Sequence, residues 1–180
     1  MLSKVLAATI LSGLALAAPM SKRQNPRHIS KIYASNGQCL GFTESQDLYN
    51  GTPVGNVDCN SDAAIEWMFF VGEANHIYPG TNPNFVLDAG SDPHNFGKLH
   101  LWQPYENLFQ QTWWYTTDNR IAIYNGDQCI DDGNGGQTYQ CTTGNTNQVW
   151  LYDGEPGHYT CEDATTTTVT VTATPTATSS

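Results

Sequence analysis

Basic residues are nearly missing from this chain. Lysine and arginine together number seven in 180 residues, against 17 aspartates and glutamates, for a formal net charge of −10. Three of the seven (Lys4, Lys22 and Arg23) precede residue 24, which leaves Arg27, Lys31, Lys98 and Arg120. An acidic chain without a basic patch repels phosphate backbones, so nucleic acid is excluded as a partner. Long apolar runs are missing too. The one such stretch, residues 5–18, follows Lys4 and ends in Ala15-Leu16-Ala17. It is too short to span a bilayer comfortably, so it predicts a signal peptide over 1–18 rather than a membrane span. Lys22-Arg23 then reads as a dibasic processing site, making 19–23 a propeptide and Gln24 the first mature residue. No stretch sustains a 3.6-residue apolar period, so almost no helix is expected. Metal spacing is lacking among the five histidines at 28, 76, 94, 100 and 158, and no serine sits in a nucleophile elbow. Residues 131–142 fail a calcium-loop template, with Gly133 and Gly135 at ligand positions. Asp131 and Asp132 are adjacent and cannot easily flank a glycosidic bond from opposite sides. The expectation is therefore no catalytic residues, no cofactor and no metal.

What the chain does have is turns, aromatics and repetition. Asn36-Gly37, Asn50-Gly51, Pro79-Gly80, Asn125-Gly126 and Asp132-Gly133 mark tight turns. Between them lie short runs such as 67–71, 85–87, 113–115 and 121–124, rich in aromatic and β-branched types, which read as strands. One unit is written three times. Cys129-Ile130-Asp131, Tyr139-Gln140-Cys141 and Asn147-Gln148-Val149-Trp150 form the cleanest copy. Leu87-Asp88, Leu101-Trp102 and Gln110-Gln111-Thr112-Trp113 form the second; Cys39-Leu40-Gly41, Val57-Asp58-Cys59 and Ile65-Glu66-Trp67 form a degraded first. A repeat of about 40 residues is too small to bury a core alone, so the copies must share one. Three copies of about four strands predict an all-β chain, a β-trefoil of three pseudo-symmetric subdomains over 24–160. Its Trp67, Trp113 and Trp150 are expected to meet near the pseudo-threefold axis.

The repeat also selects a disulfide pairing among five cysteines: Cys39–Cys59 and Cys129–Cys141, each local to its copy. Closing loops of this size stabilises by roughly 3 kcal/mol each. Cys161 is left over. An interchain bond, a reactive free thiol and a different pairing scheme all stay open for it. Residues 161–180 are dominated by threonine, cannot bury a core and read as a disordered stalk, with no lipid-anchor signal after it. Asn50-Gly51-Thr52 matches an N-glycosylation acceptor, disfavoured by the Pro53 that follows.

Sugars are held by an aromatic ring against their C–H face and by carboxylate and amide groups on neighbouring hydroxyls. The third copy carries such a set in order: Cys129, Asp131, Gln137, Tyr139, Cys141, Asn147, Gln148 and Trp150. On these residues the chain resembles the ricin B-type lectin domain, a β-trefoil with a Gln-x-Trp signature in each subdomain, over roughly residues 30–153. The resemblance implies a sugar site at Asp131, Gln137, Tyr139, Asn147 and Gln148. In the second copy it implies one at Asp88, His100, Trp102, Gln110 and Gln111. Two substitutions mark that copy: His100 where the family often has Gln, and Gln110 where it often has Asn. His100 can donate or accept near neutral pH, so the swap is compatible with binding. Asp88 and Trp102 are 14 positions apart, room for a full recognition loop; Asp131 and Tyr139 are only eight apart. In the first copy Gly41, Val57 and Ile65 replace the Asp, the aromatic and the Gln, so it is expected to be purely structural.

The resemblance implies a secreted, non-catalytic lectin, extracellular with the cell wall included. Its partners would be glycans or polysaccharides, either galactose-type sugars or β-linked chains such as xylan. Two alternatives accompany this expectation: a trefoil that has lost sugar binding and serves as a protein-interaction or inhibitor module, and the targeting module of a glycan-active enzyme. The sequence leaves the oligomeric state unknown.

Overall fold

A computed structural model describes residues 27–44 and 47–154. The leader and propeptide expected over 1–23, Cys161 and the Thr-rich segment 161–180 lie outside the described residues.

Thirteen short strands and three single 3-10 turns make up the regular structure of the described residues. The first copy contributes β1 (Arg27–Ser30), β2 (Ile32–Ala34), β3 (Cys39–Phe42), β4 (Pro53–Val57) and β5 (Trp67–Phe70). The second contributes β6 (Tyr78–Pro79), β7 (Val86–Asp88), β8 (Leu99–Trp102) and β9 (Trp113–Tyr115). The third contributes β10 (Ile121–Ile123), β11 (Gln128–Asp131), β12 (Gln137–Gln140) and β13 (Trp150–Tyr152). Outer strands of each copy pair around the barrel: β1 with β5, β5 with β6, β9 with β10, and β13 with β2. The inner strands form the hairpins β3–β4, β7–β8 and β11–β12. The expectation of three copies of about four strands holds; the extra strand arises because Lys31 separates β1 from β2.

Side-chain alternation explains why these segments are strands. Trp67 and Phe69, Trp113 and Tyr115, and Ile121 and Ile123 are buried, and the residue between each pair is only half-buried. That two-residue period suits a wall with one face on the core. Asn119 and Asn125 make the turns on either side of β10, at φ of 63° and 60°, a conformation asparagine tolerates.

The three tryptophans obey the pseudo-symmetry to the atom. Trp67 Nε1 donates to the Leu40 carbonyl, Trp113 Nε1 to that of Leu87 and Trp150 Nε1 to that of Ile130, each at 2.9 Å. Each ring is thus pinned under its own hairpin. The rings in mutual contact are instead those two residues further on. Phe69, Tyr115 and Tyr152 form a triangle with centroids 5.5, 5.3 and 5.4 Å apart. The expectation that the tryptophans meet near the axis is corrected accordingly. A Trp whose N–H must reach a hairpin carbonyl is held there, so the next inward-facing residue fills the centre.

Disulfides join Cys39 on β3 to Cys59, just past β4, and Cys129 on β11 to Cys141, just past β12. In the second copy, Val86 on β7 holds the place of Cys39 and Cys129, and it is fully buried.

Copies also clasp one another. Gly51 N–H donates to Leu101 O and Leu101 N–H to Thr52 O, both at 2.8 Å, and Gln103 N–H donates to Asn50 Oδ1 at 2.8 Å. One copy further on, Phe96 N–H donates to Thr138 O at 2.9 Å, Thr138 N–H to Gly97 O at 2.8 Å, and Gln140 N–H to Asn95 Oδ1 at 2.7 Å. These two loops therefore add themselves to the next hairpin through the same three bonds.

Candidate carbohydrate site

The hairpins β7–β8 and β11–β12 share one register. Asp88 lies opposite His100 and Val86 opposite Trp102, while Asp131 lies opposite Gln137 and Cys129 opposite Tyr139. Carboxylate, polar partner and aromatic thus come to matching places in both copies.

In the second copy, Asp88 Oδ1 accepts from Gly90 N–H at 2.6 Å, and His100 Nε2 lies 3.4 Å from the same oxygen. Gly90 has φ +81°, which lets the backbone curl back onto the carboxylate and which a side chain would strain. Asp88 Oδ2 accepts from Gln111 Nε2 at 2.8 Å. Gln111 is fully buried and spends its other groups on the backbone, donating to Gln103 O at 3.0 Å and accepting from Tyr105 N–H at 2.8 Å. The result is a cavity of about 430 Å³ lined by Asp88, Gly90, Ser91, His100, Trp102, Tyr105, Leu108 and Gln110. Four of the five residues read from the sequence meet there; Gln111 stands behind Asp88. Trp102 is 37% exposed and edges against His100, centroids 5.8 Å apart.

The third copy repeats this with one difference. Asp131 Oδ1 accepts from Gly133 N–H at 2.9 Å and Gln137 Nε2 at 3.4 Å. Asp131 Oδ2 accepts from Gln148 Nε2 at 3.3 Å and also from Asn145 Nδ2 at 3.0 Å. Gln148 is fully buried, bonding Gln140 O at 3.0 Å and Thr142 N–H at 2.9 Å, as Gln111 does. The cavity, about 350 Å³, is lined by Asp131, Gly133, Asn134, Gln137, Tyr139, Asn145 and Asn147. A carboxylate offers about four acceptor positions. Asp131 has protein donors at four, Asp88 at three. Position 145, asparagine here, corresponds to Leu108 in the second copy, which offers no side-chain hydrogen bond.

The short loop does not remove Tyr139 from the site, because the strand register, not loop length, sets its place. Phe96 from the second copy packs edge-on to it, centroids 5.2 Å apart. Sequence reasoning missed Tyr105, Ser91, Asn134 and Asn145. Asn145 had a readable signal: it caps the 3-10 turn Thr146–Gln148, accepting from Asn147 N–H at 3.1 Å, within one turn of Gln148.

The first hairpin is filled. Gly41 lies opposite Gly55, where the other copies hold Asp and its partner. A Cβ on Gly41 would come 2.2 Å from the Ala63 carbonyl oxygen, so the segment before Ile65 occupies the carboxylate's place.

Beside Asp131, buried Asp132 has its carboxyl pushed above the usual value, chiefly by burial and then by the Asp131 charge; the Asn36 N–H and the Ser35 hydroxyl oppose this. Among the described residues no three His, Cys, Asp or Glu side chains gather as a metal set, and no helix is long and apolar enough to cross a membrane.

Fold and site together define a β-trefoil in which two of the three hairpins each set a buried Asp, an aromatic ring and side-chain amides around a pocket. The ricin-type beta-trefoil lectin domain profile matches residues 28–150 and, in a second overlapping match, 76–173. The chain belongs to that family. No curated protein sequence matches it significantly. Among solved structures it is similar to the agglutinin from Abrus precatorius (TM-score 0.59, 11% identity), over 74% of this chain and 51% of that one. It is also similar to the earthworm R-type lectin C-half in complex with GalNAc (TM-score 0.53, 19% identity; 69% and 96% covered). A third likeness is to GalNAc-T7 with UDP, GalNAc and Mn2+ (TM-score 0.53, 17% identity), over 69% of this chain but 22% of that one. At these identities the likeness is one of fold.

Proposed function

We propose that this chain is a secreted, non-catalytic lectin that binds galactose-type or β-linked glycans, chiefly through the second copy. One observation carries the reading: Asp88 is held at the base of a cavity walled by Trp102, with an acceptor position of Oδ2 left unfilled by protein donors. A sugar hydroxyl donates to that position, Gln110 and Tyr105 reach further hydroxyls, and the indole covers the C–H face. Gln111 and Gln148 act by fixing the carboxylates rather than by touching sugar. The third copy is the weaker site, because Asn145 must release Asp131 before a hydroxyl takes its place. Weak sites on one chain gain useful avidity by engaging a polymeric glycan together.

A glycan array probed with the full chain and with Asp88→Ala/Trp102→Ala tests this. Binding that collapses in the variant supports the reading. Binding that survives moves the main site to Asp131 and Tyr139, and a folded wild-type chain that binds nothing on the array overturns it. A second reading, a targeting module within a larger enzyme, is favoured by the match to only 22% of the GalNAc-T7 chain.

A further inference from the structure

On the far side of Trp102 lies a second, larger cavity. It measures about 510 Å³ and is walled by all three copies: Thr43, Glu44, Gly51, Pro53 and Val54 from the first, Lys98 to His100 and Trp102 from the second, Gly135 and Gly136 from the third. It therefore occupies the centre of the hairpin cap. His100 and Trp102 line both cavities. The reason is in the pairing of β8. His100 lies opposite Asp88 on one side and opposite Pro53 on the other. Leu99 and Leu101 are buried, so Lys98, His100 and Trp102 share the outward face. Lys98 to Trp102 spans about 13 Å at the strand rise. That face carries a cation, an imidazole and an indole in line, running from the central cavity into the Asp88 cavity. Lys98 is exposed and makes no ion pair among the described residues, so its three donors face whatever enters.

Resting on the lectin reading above, we infer that the central cavity is an extension subsite. It takes the next residues of the same glycan whose terminal sugar is held at Asp88, so the ligand is an oligosaccharide that straddles Trp102. The two cavities share His100 and Trp102 as a common wall, which argues for one occupant reaching across it. A chain leaving the Asp88 cavity along β8 meets Lys98 and the apolar floor of Pro53 and Val54. One or two added hydrogen bonds there are worth roughly 5- to 30-fold in affinity.

The test is calorimetry of the full chain against two ladders: galactose with its β-linked di- to tetrasaccharides, and xylose with xylobiose to xylotetraose. On the ladder that binds, affinity rises 5- to 30-fold from the monosaccharide to the longer members. Thr43→Phe, which fills the central cavity, and Lys98→Ala, which removes its cation, each abolish the rise and leave monosaccharide affinity unchanged. Lys98→Ala changes an exposed side chain and keeps the test alive should Thr43→Phe misfold. A monosaccharide that binds as tightly as its tetramer, or a rise that survives both variants, overturns the inference while leaving the Asp88 site standing. Absence of binding on both ladders overturns both.

Discussion

Gln111 holds Asp88 from behind, donating at 2.8 Å to an oxygen whose remaining acceptor position faces the cavity. Gln148 stands in the same relation to Asp131. The residue that names the repeat therefore touches the pocket only through the carboxylate it holds.

Replacing Gln111 by Met keeps the volume and removes three hydrogen bonds. It leaves the Tyr105 N–H without its partner, for a stability loss of about 1–3 kcal/mol by urea unfolding. Glycan affinity falls although no atom of Gln111 is exposed, and Gln111→Glu, which sets a carboxylate against Asp88, falls further.

Asp88→Asn preserves shape but replaces a charged acceptor. Loss of one charge-assisted bond amounts to about 1.5–3 kcal/mol of binding, read by titration calorimetry. Asp131→Asn in the same assay costs less, because Asn145 already engages that carboxylate.

Asn145→Ser keeps an oxygen to cap the following turn but is too short to reach Asp131. The freed acceptor position strengthens the third site. In an Asp88→Ala background, where that site is read alone, the added variant raises glycan affinity; an unchanged value would separate Asn145 from any gating role.

Restoring the missing carboxylate to the first copy fails. Gly41→Asp drives a Cβ into the Ala63 carbonyl and destabilises by roughly 1–3 kcal/mol, the usual range for overpacking, without adding a binding site. Thermal unfolding and ligand stoichiometry report the two halves of this outcome.

Asp132 sets a pH signature. Its folded carboxyl titrates above the ordinary value, so the folded state holds the proton more tightly. The associated stability is fully present below the unfolded value and is lost as pH rises through the folded one. Asp132→Asn is accordingly more stable than wild type near neutrality, and the difference closes as pH falls towards 3.8. Melting temperatures of both proteins across that range check the sign.

The trefoil was legible because its signals are local and repeated. Three Trp residues, each following the same strand pattern, announce three copies, and Asp, aromatic and amide recur in the same order, with the aromatic nine residues before the Gln in both the second and third copies. What was not legible depends on how copies touch. Nothing near Trp102 in the sequence says that Pro53 will lie beside His100. The rings closing the barrel, Phe69, Tyr115 and Tyr152, read as ordinary strand residues until the Trp N–H bonds pull their neighbours outward. The saturation of Asp131 turns on Asn145, whose role is set by where the 3-10 turn points it.

The clasp between copies gives the segment 90–97 two allegiances. Its start frames the Asp88 cavity at Gly90 and Ser91, and its end lies along β12 with Phe96 against Tyr139. Diversifying that segment therefore alters the walls of both pockets in the same stroke. Selections on this scaffold will return paired phenotypes unless Asn95, Phe96 and Gly97 are held fixed.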